Sequence, residues 1–438
     1  MTGVEQEKTG LGNYFVANYP PFSAWKPAHL PAARAAMNTP PNPDTPLGLY
    51  LHIPFCRKRC KFCYFRVYTD KNARDIETYL NALVREVQLC ATLPVVGGRP
   101  LDYVYFGGGT PSYLSADQLR SLMTRLQAIL PWDQAREVTF ECEPGTLQQH
   151  KLEALRELGV TRLSLGVENF SDAILQANGR AHLSAEIFRA FGWARDLRFP
   201  QINIDLIAGM VGETWDNWRD CVRKTIELGP DSVTIYQMEL PYNTVFSKEL
   251  RLIGQDEPSH IADWPTKRAW VEYAFGEFAQ AGYSLSSAYT VVKNKEQTHF
   301  VYRDALWHGA DMFGTGVASF GHLNGAHVQN VDTWEAYIQH LEQGELPLGR
   351  AFPTTPRDRL IREMILQLKT GLIRPQAFAT KFGVDIVAEF APGWHELTEK
   401  GIVELTGDTI TVTPKGLLQI DRNLPVFFDP QYRNTRYT

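Results

Sequence analysis

Along this chain, short runs with every second residue apolar alternate with longer stretches whose apolar residues recur every three or four positions. The first spacing is that of a strand, the second that of a helix with one buried face. Ile76, Tyr79, Leu80, Leu83, Val84 and Val87 share one helical face. A strand is predicted over 103–106, and Ser115 with Gln118 forms a capping box for a helix running to 130. Strands over 138–142, 162–166, 202–207 and 232–236 are separated by helices over 148–158, 184–196 and 214–228, the last closed by Gly229-Pro230. This rhythm predicts parallel strands joined by crossover helices: an α/β fold, a partial or full TIM-like (β/α) barrel whose active face is the C-terminal ends of its strands. A helix over 264–281 and a strand near 284–291 precede the glycine-rich Phe313-Gly314-Thr315-Gly316-Val317-Ala318-Ser319.

From Thr355 the pattern changes to two or three helices, then strands over 401–405 and 409–412 about Gly407-Asp408, which predicts a β-hairpin. The chain therefore divides into an arm over 1–47, a barrel with its extension over 48–350, and a small C-terminal α+β domain over 351–438. Eight prolines and the aromatic stretch 14–25 mark the arm as irregular and anchored on the body, with 38–46 as a linker.

Composition narrows the classes. The 438 residues are 44% hydrophobic and 21% charged, ordinary for a globular protein. A net charge of −5 carries no basic signature for nucleic acid. The polar start lacks the apolar core of a signal peptide, and no apolar run reaches spanning length. The cytoplasm is the expected location.

The strongest chemistry lies in His52-Ile53-Pro54-Phe55-Cys56-Arg57-Lys58-Arg59-Cys60-Lys61-Phe62-Cys63-Tyr64-Phe65. Cys56, Cys60 and Cys63 form a C-x3-C-x2-C loop that can wrap three thiolates around an iron–sulfur cubane, leaving one iron without a protein thiolate. Structural zinc normally takes four ligands, and no fourth follows at suitable spacing. Three cysteines cannot all pair as disulfides. Arg57, Lys58, Arg59 and Lys61 are expected to lower the thiolate pKa values. His52 lies in an alternating, strand-like run over 48–53 and reads as a core or site-wall residue, and Cys90, Cys142 and Cys221 read as small buried apolar residues.

These motifs resemble the radical SAM superfamily, specifically its HemN-like branch of oxygen-independent coproporphyrinogen III oxidases, HemW-type heme chaperones and HemN-like methyltransferases or cyclopropanases. The resemblance implies a radical SAM barrel with a [4Fe–4S] cluster at Cys56, Cys60 and Cys63, whose open iron chelates S-adenosylmethionine (SAM) and cleaves it reductively to a 5′-deoxyadenosyl radical. It also implies an electron donor such as flavodoxin or ferredoxin, a small-molecule substrate, possession of a winged-helix-like C-terminal domain, and no nucleic-acid partner. Gly107, Gly108, Gly109 and Thr110 match the motif that holds the methionine moiety, with backbone N–H groups offered to it. Glu141, expected on the same side of the pleat as Glu143 at the end of the third strand, would contact the cluster-bound SAM. Glu168, Arg180 and Asp205, at the ends of the fourth and fifth strands, match positions around a second SAM, with Glu168 where the branch usually has Gln. Tyr50, Phe62 and Met238 match site-lining positions.

Two departures separate this chain from its relatives. The oxidases usually continue C-x2-C-x-C, whereas Cys63 is followed by Tyr64-Phe65. The chaperones carry H-N-x-x-Y-W, whereas this chain has Thr298-His299-Phe300-Val301-Tyr302-Arg303. The resemblance then points first to a HemN-like enzyme using a second SAM as methyl or methylene donor, on an organic substrate that includes tetrapyrroles in its range. Coproporphyrinogen-type oxidative decarboxylation is the enzymatic alternative. Heme carriage, with His299, His308, His322 and His327 as candidate ligands, is the non-enzymatic one.

Overall fold

The computed structural model describes residues 15–252 and 261–433; the polar start and Tyr14 lie outside them. The central element is one sheet of twelve strands: β1 Leu47–Ile53, β2 Leu101–Gly108, β3 Glu137–Cys142, β4 Arg162–Glu168, β5 Gln201–Ala208, β6 Ser232–Gln237, β7 Ser284–Leu285, β8 Thr290–Val292, β9 Asp311–Thr315, β10 Phe320–Leu323, β11 Ala326–Asn330 and β12 Leu348–Pro353. Their order is β12-β11-β10-β9-β1-β2-β3-β4-β5-β6-β8-β7. The seven strands from β9 to β6 are parallel, and the flanking ones antiparallel. Strands β12 and β7 end the order without pairing to each other, so the barrel is partial and open.

A two-residue alternation explains both faces. Val104, Phe106, Val138, Phe140, Leu163, Leu165, Ile202 and Ile204 are buried in the main apolar core. Helices Ala73–Ala91, Ala116–Ile129, Gln149–Glu157 and Trp215–Leu228 add their apolar residues to the same core. The intervening Glu137, Thr139, Arg162, Ser164, Asn203, Ser232 and Thr234 are polar and buried on the other face. Such residues need internal partners, and Asn203 takes Ser164, Ser232 and Thr234 within 3.2 Å. Phe300 and Tyr302 fill this inner face. The N–H groups of Val301 and Tyr302 donate to Glu137 at 3.0 and 3.3 Å, and Arg162 lies 4.1 Å over the Phe300 ring.

Three predictions change. The stretch near 284–291 is two short antiparallel strands rather than one. The glycine-rich segment at 313–319 begins inside β9, the seventh parallel strand. The arm contains a helix, Leu30–Met37, which an Ala-rich run supports despite Pro at its start. Beyond 355, helices Pro356–Leu368, Pro375–Phe382, Ile386–Glu389 and Ala391–Glu399 precede the hairpin of β14 Val403–Thr406 and β15 Thr409–Val412. A third strand, β13 Leu372–Ile373, pairs with β15. Val16 and Tyr19 of the arm are buried in this C-terminal core. Lys369, fully buried, donates to the Val16 carbonyl and pairs with Asp421 at 2.6 Å.

Candidate functional site

The cysteine loop leaves the end of β1 and runs back against the other strand ends. Cys56, Cys60 and Cys63 are partly exposed, Cys90, Cys142 and Cys221 are buried, and none of the six is in a disulfide. Among the described residues no three His, Cys, Asp or Glu side chains are grouped to hold a metal ion. The three thiols are nonetheless near enough to act on one another electrostatically. A polynuclear cluster fits such a set, because each thiolate then binds a different iron.

Burial outweighs the lowering expected from the loop's cations at Cys56 and Cys63, although Arg59 does act in that direction on Cys63. Burial pushes Cys56 up to about 12 and Cys63 up to about 11. Arg57 is turned to the Ala181 carbonyl, Lys61 pairs with Glu249 at 3.7 Å, and Arg59 donates to the Cys63 carbonyl. The thiols' polar neighbours are instead Thr110, whose hydroxyl is 3.3 Å from Cys56 Sγ, and Arg180, whose Nη1 is 3.3 Å from Cys60 Sγ. Bound iron supplies the charge that deprotonates such thiols outright.

The glycine run is required by close approach. A β-carbon on Gly108, where φ is 110°, would lie 2.4 Å from the His52 ring, and one on Gly109 would lie 2.8 Å from the Pro54 backbone. Two of the expected free N–H groups are spoken for. Gly108 donates to Glu141 Oε2 at 3.1 Å and Gly109 to the Ile53 carbonyl at 2.9 Å. The run thus seats the cysteine loop and Glu141.

Glu141 lies on the inner polar face of the sheet and accepts from the Tyr105 hydroxyl at 2.6 Å. Burial pushes its carboxyl up to about 7. Glu143 does not join it: β3 has ended, and Glu143 turns to His182 Nδ1 at 3.0 Å and to the Gly145 N–H. At the end of β4 a register shift sets Gly166 opposite Asp205 and Glu168 opposite Leu206. Glu168 has φ of 64°, a region that residues with a β-carbon rarely enter. Such a bulge re-aims a side chain, and Glu168 Oε1 comes within 3.6 Å of Arg180 Nη2, which also donates to the Gly166 carbonyl at 2.6 Å. Asp205 lies within β5 rather than at its end, bound to Ser164 and Asn203 at 2.8 and 2.9 Å. It shares an electrostatic field with Glu141, Glu168 and Arg180 without touching them.

Tyr50 stacks 5.8 Å from Tyr105, while Phe62 and Met238 share one apolar cluster. Tyr64 and Tyr236 are 44% and 43% exposed, yet desolvation pushes both phenols up. Tyr64, Tyr105, Arg162, Tyr236 and Tyr302 were not singled out from sequence. The polar alternation of β2 to β6 could have found Tyr105, Arg162 and Tyr236; Tyr64 on the cysteine loop and Tyr302 on the helix before β9 carry no such signal. Of the candidate heme ligands, His322 and His327 are buried strand residues whose Nδ1 atoms lie 2.9 Å apart, while His299 and His308 bind backbone carbonyls.

A family model described as the Radical SAM superfamily matches residues 50–225, and one described as the HemN C-terminal domain matches 354–418. The chain is a radical SAM protein. Within that superfamily it belongs to the HemN-like branch. It is 27% identical to an oxygen-independent coproporphyrinogen III oxidase of Synechocystis sp., over 97% of this chain and 93% of that protein. It is 29% identical to the heme chaperone HemW of Bacillus subtilis, over 84% of this chain and 96% of that one. The structure of coproporphyrinogen III oxidase (HemN) from Escherichia coli superposes with a TM-score of 0.81 at 24% identity, covering 94% of this chain and 96% of that one, a likeness of fold. The family's cofactors are a [4Fe–4S] cluster and SAM. No helix among the described residues is long and apolar enough to cross a membrane.

Proposed function

We propose that this protein is a radical SAM enzyme acting on a small organic substrate, with one SAM at the cluster and a second SAM serving as methyl or methylene donor. Cys56, Cys60 and Cys63 would hold the cluster, which when bound supplies the electron that cleaves SAM to methionine and the 5′-deoxyadenosyl radical. Gly107, Thr110, Glu141 and Tyr50 would orient the first SAM, and a low-potential donor protein such as flavodoxin or ferredoxin would reduce the cluster.

The observation that carries the second site is the bridge made by Arg180, which reaches from Cys60 on the cluster loop to Glu168 on β4. A guanidinium there can bind a carboxylate through paired hydrogen bonds. Glu168 adds a negative charge suited to a sulfonium, and Asp205 an acceptor for a ribose or amine. Phe62 and Met238 would line the apolar side.

Equilibrium dialysis of the anaerobically reconstituted enzyme against SAM should find two equivalents, one of them lost selectively in Arg180→Ala or Asp205→Asn. A single equivalent in the wild type would assign this corner to substrate carboxylates. The relatives named as coproporphyrinogen oxidases favour a second reading, oxidative decarboxylation. Carbon dioxide released from coproporphyrinogen III, without S-adenosylhomocysteine, would establish that reading instead.

A further inference from the structure

The Glu141 carboxylate has two donors, the Tyr105 hydroxyl at 2.6 Å and the Gly108 N–H at 3.1 Å. Tyr105 is held between rings: Tyr302 lies 4.2 Å away with planes tilted by 31°, and Tyr50 lies 5.8 Å away at 17°. Tyr302 does not come from a strand. It sits in the first turn of helix Val301–Trp307, between β8 and β9. That turn is bolted down by Glu137, which is 2% exposed and accepts from the N–H groups of Val301 and Tyr302. Glu137 opens the strand that carries Glu141. One strand therefore anchors the helix at one end and depends on its aromatic ring at the other.

From these contacts we infer that Tyr302 is a positioning residue, acting through the Tyr105 ring to aim the Glu141 carboxylate at SAM. The inference rests on the proposed role of Glu141. With a small side chain at 302, the Tyr105 phenol gains room to leave Glu141, whose carboxylate then keeps the Gly108 N–H as its remaining donor.

The charges facing Glu141 define the consequence. Asp205 and Glu168 oppose its ionisation, while Arg162 favours it. The phenols of Tyr50, Tyr64, Tyr236 and Tyr302 also share its field. Burial is the main influence pushing the carboxyl up to about 7, and the Tyr105 hydrogen bond is the largest one opposing it. Loss of that bond moves ionisation to higher pH, so the acid limb of SAM binding should move the same way.

The test is equilibrium dialysis of the anaerobically reconstituted holoenzyme against SAM across pH, with no reductant added so that SAM binds but is not cleaved. Losing a hydrogen bond to a charged group, Tyr105→Phe should weaken binding about 10-fold or more. Tyr302→Leu should weaken it about 3- to 10-fold, the range of an aromatic pair. Both should shift the acid limb upward, while Tyr302→Phe, which keeps the ring, should behave as wild type. Tyr302→Met, of similar bulk without a planar face, provides the same reading if Tyr302→Leu loses iron. Wild-type affinity and pH profile in the Leu or Met variant, with Tyr105→Phe impaired, would overturn the inference. Unchanged affinity in Glu141→Gln would instead overturn the reading of Glu141 on which it rests.

Discussion

Replacing Arg180 by alanine removes the cation that ties the cysteine loop to β4, and the cost should depend on pH. Its partner Glu168 is 3.6 Å away, and the two side chains are 11% and 13% exposed. At that separation the gross attraction is about 4–5 kcal/mol for an effective dielectric near 20, partly offset by desolvation of both ions. Breaking such a pair from one side costs about 3–5 kcal/mol when the remaining ion stays charged. Glu168 can escape that cost by taking up a proton. Burial pushes its carboxyl up to about 7, Arg180 is the contact opposing this, and Asp205 and Glu141 act with burial.

At pH 6 Glu168 is therefore largely protonated and Arg180→Ala should cost only about 1–2 kcal/mol, the worth of the Gly166 contact and the lost packing. At pH 8 the loss should approach about 3 kcal/mol. Arg180→Ala/Glu168→Gln should recover part of it, because no carboxyl is left uncompensated. Urea unfolding of the iron-free protein, followed by tryptophan fluorescence, compares both variants with wild type. Equal losses at both pH values, with no recovery in the double variant, would refute the reasoning.

Replacement of Cys56, Cys60 or Cys63 by alanine should abolish the roughly four irons per chain expected after reconstitution, whereas alanine at Cys90, Cys142 or Cys221 should retain them by colorimetric iron assay. Glu86 is buried and accepts from Gly316 N–H, Asn330 and Tyr337 at 2.6–2.7 Å; Glu86→Ala should lower unfolding free energy by about 3 kcal/mol or more by stranding three donors, and a loss under about 1 kcal/mol would contradict this. Burial pushes Glu213 and Glu239 up to about 8 from an ordinary 4.5. The folded state then holds more protons than the unfolded one, so this contribution is full below about pH 4.5 and is lost as pH rises to about 8. The melting temperature should fall between about pH 6 and pH 8.5, less steeply in Glu213→Gln, and a rise over that range would count against it.

The sequence exposed the scaffold more readily than the interior. Six of the seven parallel strands were legible because their apolar residues alternate over several positions and helices with clear caps separate them. The seventh, β9, is five residues long and carries Gly314, so no alternation distinguishes it from a loop. Arg180 and Asp205 lie 25 residues apart in sequence and were named through motif likeness. That Arg180 reaches Cys60 follows from the return of the cysteine loop over the strand ends, which local pattern does not encode. The inward polar stripe, Tyr105, Glu141, Arg162, Ser164, Asn203 and Asp205, was present as a two-residue period but masked by the stronger apolar one. The direction of the cysteine shifts was misjudged for a similar reason. Four nearby cations look decisive in sequence, yet folding gives Arg57, Arg59 and Lys61 other partners and leaves burial in control.

The central claim is that this chain cleaves SAM reductively at a cluster held by three cysteines. It is tested most directly by incubating the anaerobically reconstituted protein with SAM and dithionite or titanium(III) citrate, and quantifying 5′-deoxyadenosine and methionine by mass spectrometry. The account predicts both products in equal amounts, and neither in Cys60→Ala. An iron-loaded wild-type protein that binds heme stoichiometrically but forms no 5′-deoxyadenosine would contradict it and make the chain a heme carrier.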